Sequence, residues 1–266
     1  MKPAKSGADK FFVQSINRAF SIIDEVSKAP ERGLSLSEIA DKISLPVSTV
    51  YRIIQNLVHW QYIAEREDGS YSLGFAFLTL GNIVKENLKL TNIAHAHMEE
   101  LNRITSETIY LTLLDLLNGE VIYIDKMESR RNIKLAAGIG SRNLIHVTAN
   151  GKCLVSKLSK DKLKKLLETK GMPARTQYTI TDIQHFLKEV EQVNAVGYAL
   201  DDCENELGVR CVAAPVFDYT GKVVASISIS GIESNMDLER LKTEYSLLVR
   251  DAALKISQRM GYSRPL

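Results

Sequence analysis

The segment VASISISG, residues 224–231, constrains the fold most because aliphatic and hydroxyl side chains alternate along it. Its aliphatic positions are Ala225, Ile227 and Ile229, and its serines are Ser226, Ser228 and Ser230. Side chains of a β-strand point to opposite faces in turn, so the pattern predicts a strand with one aliphatic and one serine face. The aliphatic face must pack on a core. The serine face points either to water or into a pocket, and these eight residues alone do not distinguish the two.

The chain as a whole has the composition of a soluble protein, and its 266 residues suit two domains. Its longest apolar runs fall short of the roughly 18 residues that a membrane span needs. The polar start, MKPAKSGADK, lacks the apolar region of a secretory signal, so we expect a flexible tail over residues 1–10. Three cysteines without paired spacing favour a reducing, cytoplasmic compartment. The net charge of +2 neither requires nor excludes a polyanionic partner.

The first 74 residues predict a winged helix-turn-helix over residues 11–74. QSINRAFSIIDEVSKAP has apolar residues at helical spacing, with Ser15 as a cap. Ser35 and Glu38 form a possible capping box for a second short helix. A break at SLP precedes a third helix, VSTVYRIIQNLVHW, in which we expect Trp60 to lie in the core. YIAEREDGSYSLG then predicts a hairpin that turns at Asp68-Gly69.

The remaining residues predict a linker helix over residues 75–88 and an α+β domain with an antiparallel sheet over residues 89–266. The predicted strands are ETIYLTLLDLL, GEVIYIDKME, NIKLAAGIG, YALDD, VRCVAAPVFD and KVVASISISG. Helices are predicted over residues 149–158, 160–170 and 182–195, and a long amphipathic helix over residues 237–260 closes the chain.

The third helix is the candidate recognition helix, because the first turns of such a helix reach base edges in the major groove of DNA. Its candidate DNA contacts are Val47, Ser48, Thr49, Tyr51 and Arg52, to which the hairpin adds Arg66 and Ser70. Arg52 is the only formally charged side chain between Ser44 and Ile63. One such helix binds phosphates weakly, so we expect a homodimer or homotetramer on a pseudo-palindromic operator. The alternative is a helical unit used only for oligomerisation.

Two chemical alternatives involve the cysteines. A nucleophile would require Cys211 or Cys153 with His146 as its base. No residues form a paired general acid and base at a convincing spacing, and a cysteine among apolar strand residues is typically inert, so we do not expect an enzyme. A zinc site could form from His146, Cys203 and Cys211, with Asp201, although this spacing fits no standard structural zinc motif. We therefore expect neither a metal nor another cofactor.

Nearly the whole chain, from about Val13 to Tyr262, resembles the IclR-type transcriptional regulators. The resemblance is carried by QSINRAFSII, LPVSTVYRIIQNL, YSLG, ETIYL, GIGSRNLIHVTANGK and DDCENELGVRCVAAPVFDYTGKVVASISISG. TSETIYL and KISQRMGY are similar to the branch of sugar-acid regulators that includes the 2-keto-3-deoxygluconate regulon repressor. The resemblance implies a winged helix, a linker helix that dimerises, and a GAF/PAS-like domain that binds small carboxylates.

Carried over residue by residue, the effector contacts of the family fall on Ala149, Asn150, Gly151, Asp201, Cys211, Ser228 and Ser230. The residue pattern agrees, since Cys211 and Ala213 are small residues on one strand face and leave room beside the two serines. TANGK predicts a turn into a helix whose free backbone N–H groups suit a carboxylate. We therefore expect the serine face to line a pocket. The predicted function is that of a DNA-binding transcriptional repressor that responds to a small carboxylate such as a sugar acid or keto acid. The alternative is a small-molecule enzyme or sensor with a helical oligomerisation domain.

Overall fold

The computed structural model describes residues 13–87 and 89–263, and the contacts within the chain divide it into two compact units, Met1–Asn87 and Leu88–Leu266. The tail predicted over residues 1–10 lies outside the described residues, as does Leu88 at the end of the predicted linker helix. No helix of the described residues is both long and apolar enough to cross a membrane.

The first unit is a winged helix-turn-helix. Its elements are α1 (Gln14–Ser27), α2 (Leu36–Ile43), α3 (Val47–His59), the hairpin strands β1 (Ile63–Glu65) and β2 (Tyr71–Leu73), and α4 (Ala76–Asn87). Residues at helical spacing on α1, α2 and α3 meet in one core, in which Ile22, Ile39, Val50 and Ile54 are fully buried. The predicted hairpin turn is confirmed, because β1 and β2 pair antiparallel and Gly69 adopts a positive φ of 76°.

The helix boundaries test the predicted caps. The capping box is confirmed, since the backbone N–H of Glu38 donates to Ser35 Oγ and the Glu38 carboxylate accepts from the Ser35 backbone N–H. The cap predicted at Ser15 is wrong, because α1 already begins at Gln14, after Val13, without a side-chain cap. The prediction that Trp60 lies in the core is wrong: it directly follows the end of α3 at His59, and its side chain is 68% exposed.

The second unit is an α+β domain built on a six-stranded antiparallel sheet with the strand order β5-β4-β3-β8-β7-β6. Its strands are β3 (Thr108–Asp115), β4 (Glu120–Met127), β5 (Arg142–Leu144), β6 (Ala199–Asp202), β7 (Val209–Phe217) and β8 (Val223–Ile232). Its helices are α5 (Lys89–Thr105), α6 (Ala149–Leu154), α7 (Lys160–Lys170), α8 (Ile183–Val196), α9 (Leu238–Arg240) and α10 (Ser246–Arg259).

The two faces of this sheet have separate cores. On one face, Ala225, Ile227 and Ile229 of β8 are fully buried among apolar residues of α5 and α10, as the alternating pattern predicted. On the opposite face, α6 packs across β7 and β8, and α7 and α8 complete a second apolar cluster behind it. The serines therefore lie under α6 and not in water.

Two segments differ from the predicted elements. NIKLAAGIG, residues 132–140, forms an irregular loop, and the third strand of this region is Arg142–Leu144 instead. Two carbonyl oxygens of the loop accept hydrogen bonds from side chains rather than from a neighbouring strand. The carbonyl oxygen of Leu135 accepts from Lys126 Nζ, and that of Ala137 accepts from the Tyr110 hydroxyl. The closing helix is interrupted by a π-helical turn, Leu241–Tyr245, between α9 and α10.

Candidate functional site

The outer face of α3 presents the candidate DNA contacts. Val47, Ser48, Tyr51 and Arg52 are exposed, and Thr49 is half-buried. Val50 and Ile54, which hold α3 on the core, lie on the opposite side of the helix. Within the described residues, no carboxylate pairs with the Arg52 guanidinium. The first two turns of α3 can therefore offer the hydroxyl groups of Ser48, Thr49 and Tyr51 and one cation to a groove of DNA.

The hairpin residues Arg66 and Ser70 have intramolecular partners. The Arg66 guanidinium donates to the carbonyl oxygens of Pro30 and Glu31, at 2.8 and 2.7 Å. The Ser70 hydroxyl donates to Asp68 Oδ1 at 2.6 Å. The Arg66 bonds fix the hairpin on the connection between α1 and α2, and the Ser70 bond lies within the hairpin. The contact of these two residues with DNA stays a prediction.

The register of four strands brings polar residues into one row across the serine face. Asp201 of β6 pairs with Cys211 of β7, which pairs with Ser230 of β8, and Ser230 also pairs with Thr108 of β3. Directly opposed residues of antiparallel strands project to the same face. The neighbouring row consists of Ala199, Ala213, Ser228 and Tyr110. Small residues at one end of this second row and hydroxyls at the other leave a polar surface beneath α6.

The α6 helix brings its own polar residue to this surface. Asn150 Nδ2 donates to Ser228 Oγ at 2.9 Å, and the hydroxyls of Ser228 and Ser230 lie 3.3 Å apart. Gly151 is required here, because a Cβ at this position would collide with the carbonyl oxygen of Ile145. The backbone N–H of Gly151 donates to Thr148 Oγ1, which caps the helix. Of the free N–H groups predicted for this segment, that of Gly151 is therefore already taken.

Several buried polar atoms of this surface have no hydrogen-bond partner among the described residues. Thr108 Oγ1 and Asn150 Oδ1 are two of them, and Glu204 Oε2, beside Asp201, is a third. A buried polar atom without a partner costs free energy, so such atoms in a native structure call for an explanation. Their concentration around the serine face indicates a place where a polar ligand would complete the hydrogen bonding.

Charged groups lie at the Asp201 end of the face. Asp201 is 2% exposed, and its Oδ1 accepts from the backbone N–H groups of Glu204 and Asn205. Lys152 of α6 is 1% exposed, and its Nζ donates to Glu204 Oε1 at 2.6 Å. Burial, followed by the nearby Glu204 carboxylate, raises the pKa of Asp201 to about 7. Burial also raises the pKa of Glu204, against the opposing effect of Lys152.

Several of these residues were not predicted from the sequence. The charge of Lys152 was visible within TANGK, but nothing in the sequence placed Glu204 opposite it. Thr108 and Tyr110 alternate with apolar residues in TIYL, and only the register with Ser230 and Ser228 assigns them to this face.

The cysteines and His146 do not form the chemical sites considered above. His146 Nε2 lies 3.1 Å from the carbonyl oxygen of Pro173, and Cys153 Sγ donates to the carbonyl oxygen of Ala213. Burial raises the pKa of both Cys153 and Cys211, which keeps these thiols protonated and unreactive. Over residues 13–87 and 89–263, no group of three His, Cys, Asp or Glu side chains could hold a metal ion. The zinc alternative from His146, Cys203 and Cys211 is therefore wrong, because the fold does not bring these side chains together.

A winged helix-turn-helix with an open recognition face, joined to an α+β unit with a polar buried surface, defines a DNA-binding transcriptional regulator as the class of protein. Comparison with known families agrees. The IclR helix-turn-helix domain matches residues 15–67, and the C-terminal domain of the bacterial transcriptional regulator IclR matches residues 83–258. The chain belongs to the IclR family.

Individual relatives support this assignment over nearly the full chain. The HTH-type transcriptional regulator KdgR of Escherichia coli (strain K12) is 37% identical over 94% of each chain. The transcriptional repressor IclR of the same organism is 29% identical over 95% of this chain and 92% of its own. The crystal structure of the Thermotoga maritima IclR superposes with a TM-score of 0.77 at 33% identity, over 93% of this chain and 99% of that chain. These relatives are regulators and not enzymes, as predicted, and the helix-turn-helix match disfavours a unit used only for oligomerisation.

Proposed function

We propose that this regulator is a repressor whose C-terminal unit binds a small carboxylate, such as a sugar acid or keto acid, and thereby changes its affinity for an operator. In this proposal residues 11–74 bind DNA, residues 75–88 link the units and residues 89–266 bind the effector. The relationship to a named repressor of the family favours repression. A regulator of bacterial genes acts where the chromosome lies, so the proposal includes a cytoplasmic location.

The observation that carries the effector proposal is the buried row from Asp201 to Thr108, with unpartnered polar atoms beside it. The proposed effector contacts are Ala149, Asn150, Gly151, Asp201, Cys211, Ser228 and Ser230. The hydroxyl and keto oxygens of such a ligand can accept from the serine hydroxyls, and its hydroxyl groups can donate to Asn150 Oδ1. Binding sites for small molecules combine such convergent polar groups with small apolar residues, here Ala199 and Ala213.

For DNA, we propose that the first turns of α3 enter the major groove through Val47, Ser48, Thr49, Tyr51 and Arg52, with Arg66 and Ser70 close to the backbone. One cation on the recognition face favours binding by two or more copies. The first unit also has an apolar groove of about 550 Å³, lined by residues that include Ile16, Phe20, Ile53 and Leu57. Such a surface fits a homodimer or homotetramer.

The proposal is tested by a gel shift of the purified protein on DNA that flanks its own gene, with and without sugar acids and keto acids. The double variant Ser228→Ala with Ser230→Ala should bind the operator like wild type and lose the response to the acid, because the hydroxyls that hold the ligand are gone. Ser226→Ala is the matched control, since this serine lies on the same face but its hydroxyl donates to the Ala214 carbonyl oxygen. A double variant with an unchanged response would remove the effector site from the serine face.

A further inference from the structure

The surroundings of Asp201 contain more acidic than basic groups. The titratable groups that face it are Glu204 from the following loop, Cys211 from β7, Tyr123 from β4 and Lys152 from α6. Burial raises the pKa of the Cys211 thiol and of the Tyr123 hydroxyl, so both are neutral near pH 7. The remaining charges are the two carboxylates and the ammonium of Lys152. Among the described residues, Lys152 alone brings positive charge to this cluster.

The ammonium of Lys152 has no donor left for Asp201 or for a ligand. Its three N–H groups are directed to Glu204 Oε1, to the carbonyl oxygen of Leu200 and to Glu189 Oε2, at 2.6, 2.8 and 3.4 Å. Glu204 is therefore neutralised by Lys152, whereas Asp201 receives, from the residues that the structure describes, only two backbone N–H groups, both at Oδ1. A buried carboxylate without a paired cation is costly, and it avoids the cost by binding a proton.

An anionic effector increases this cost. A carboxylate beside the row Asp201, Cys211, Ser230 and Thr108 would add a second negative charge to a buried site. Because two adjacent carboxylates cannot both remain ionised at low cost, they share a proton. Asp201 Oδ1 already accepts two hydrogen bonds, so the proton belongs on Oδ2, where a protonated carboxyl group can donate it to an oxygen of the ligand.

We propose that Asp201 recognises the effector as a neutral hydrogen-bond donor, so that binding of the anion is coupled to uptake of one proton by this buried carboxyl group. The inference rests on the proposed function for the identity of the ligand as a carboxylate. It adds a protonation state to the site and makes effector affinity depend on pH. The protonation state of Asp201 then controls binding of the effector, because an ionised Asp201 repels the anion and a protonated Asp201 binds it.

The first test is isothermal titration calorimetry of the full chain with 2-keto-3-deoxygluconate and with pyruvate, at pH 6, 7 and 8, each in two buffers of different ionisation enthalpy. The buffer dependence of the heat gives the number of protons taken up. For wild type we expect close to one proton per effector at pH 8 and close to none at pH 6, with an affinity that falls about tenfold per pH unit above the pKa of Asp201. Binding at pH 8 without proton uptake would overturn the proposal.

Two variants separate protonation from a structural role. Asp201→Asn keeps an acceptor for the two backbone N–H groups and a donor at the position of the proton, so it should bind the acid without proton uptake at any of the three pH values. Glu204→Gln removes the neighbouring negative charge and should move the onset of proton uptake to lower pH. Proton uptake that persists in Asp201→Asn would assign the proton to another group and overturn the proposal.

A ligand-free measurement distinguishes failure of this inference from failure of the proposed function. The pKa of Asp201 in the folded protein lies above its ordinary value of 3.8, at about 7. The stability that the bound proton adds is therefore fully present below about pH 4 and is lost as the pH rises to about 7. The difference in free energy of unfolding between wild type and Asp201→Asn should fall over this range. A flat difference would overturn the inference, whereas a falling difference without binding of either acid would reject the effector class and retain the proton site.

Discussion

At the scale of single residues, the face of the sheet on which a side chain lies decides its role. Ile229 and Ser230 are neighbours in the sequence, yet Ile229 packs against α5 and α10, and Ser230 lies in the polar row that faces α6. The alternation was visible in the sequence because a strand has a strict period of two. The rest of the polar row was not, since Thr108, which pairs with Ser230, and Asp201, which pairs with Cys211, come from strands that are about 120 and 30 residues away from Ser230 in the chain.

For DNA binding, the prediction at this scale concerns the Arg52 side chain. Arg52→Ala should weaken operator binding by about 1–3 kcal/mol per copy, which is about 5- to 150-fold, because a guanidinium on phosphate or guanine contributes this much. Binding of the effector should be unchanged. Fluorescence anisotropy with a labelled operator measures the loss, and Arg175→Ala, an exposed arginine of the second unit, is the matched control. Equal affinities of the two variants would remove Arg52 from the DNA interface.

At the scale of elements, local signals located those helices and turns whose determinants are close in sequence. The capping box of α2 and the Asp68-Gly69 turn were correctly predicted because each depends on a few adjacent residues. The predicted strand over residues 132–140 was wrong for the opposite reason. The apolar residues of this segment fit the local pattern of a strand, but Arg142–Leu144 forms the edge of the sheet instead. The Tyr110 and Lys126 side chains donate to carbonyl oxygens within residues 132–140.

The capping box of α2 gives the prediction for this scale. Ser35→Ala should destabilise the first unit by about 1 kcal/mol, because the N–H of Glu38 loses its acceptor. Ser37→Ala, at an exposed position of the same helix, should have little effect. Denaturant unfolding followed by fluorescence measures both, since Trp60 is the only tryptophan of the chain and lies in this unit.

The pH dependence of the cap checks the same bond. The Ser35 backbone N–H, followed by Arg32, lowers the pKa of Glu38 from its ordinary 4.5 to about 2. A depressed pKa means that the carboxylate stabilises the folded unit above about pH 4.5 and that this contribution is lost as the pH falls to about 2. The contribution should be absent in Glu38→Gln, and identical acid unfolding of that variant and wild type would contradict this role.

At the scale of the whole molecule, the family motifs predicted the presence of both units, whereas the coupling between them depends on two equilibria that no local pattern encodes. If the effector changes operator affinity, it must bind the two states of the regulator with different affinities. Linkage then requires that operator DNA changes effector affinity by the same factor.

We expect this reciprocal effect to be about 5- to 150-fold, the range typical of coupled sites. Calorimetry with 2-keto-3-deoxygluconate, with and without saturating operator DNA, measures one factor, and operator titrations with and without the acid measure the other. The variant lacking the Ser228 and Ser230 hydroxyls should lose both factors together, because both arise from one site. If the acid changed operator affinity while operator DNA left the calorimetric affinity unchanged, the acid bound in the calorimeter would occupy a site other than the one that controls DNA binding.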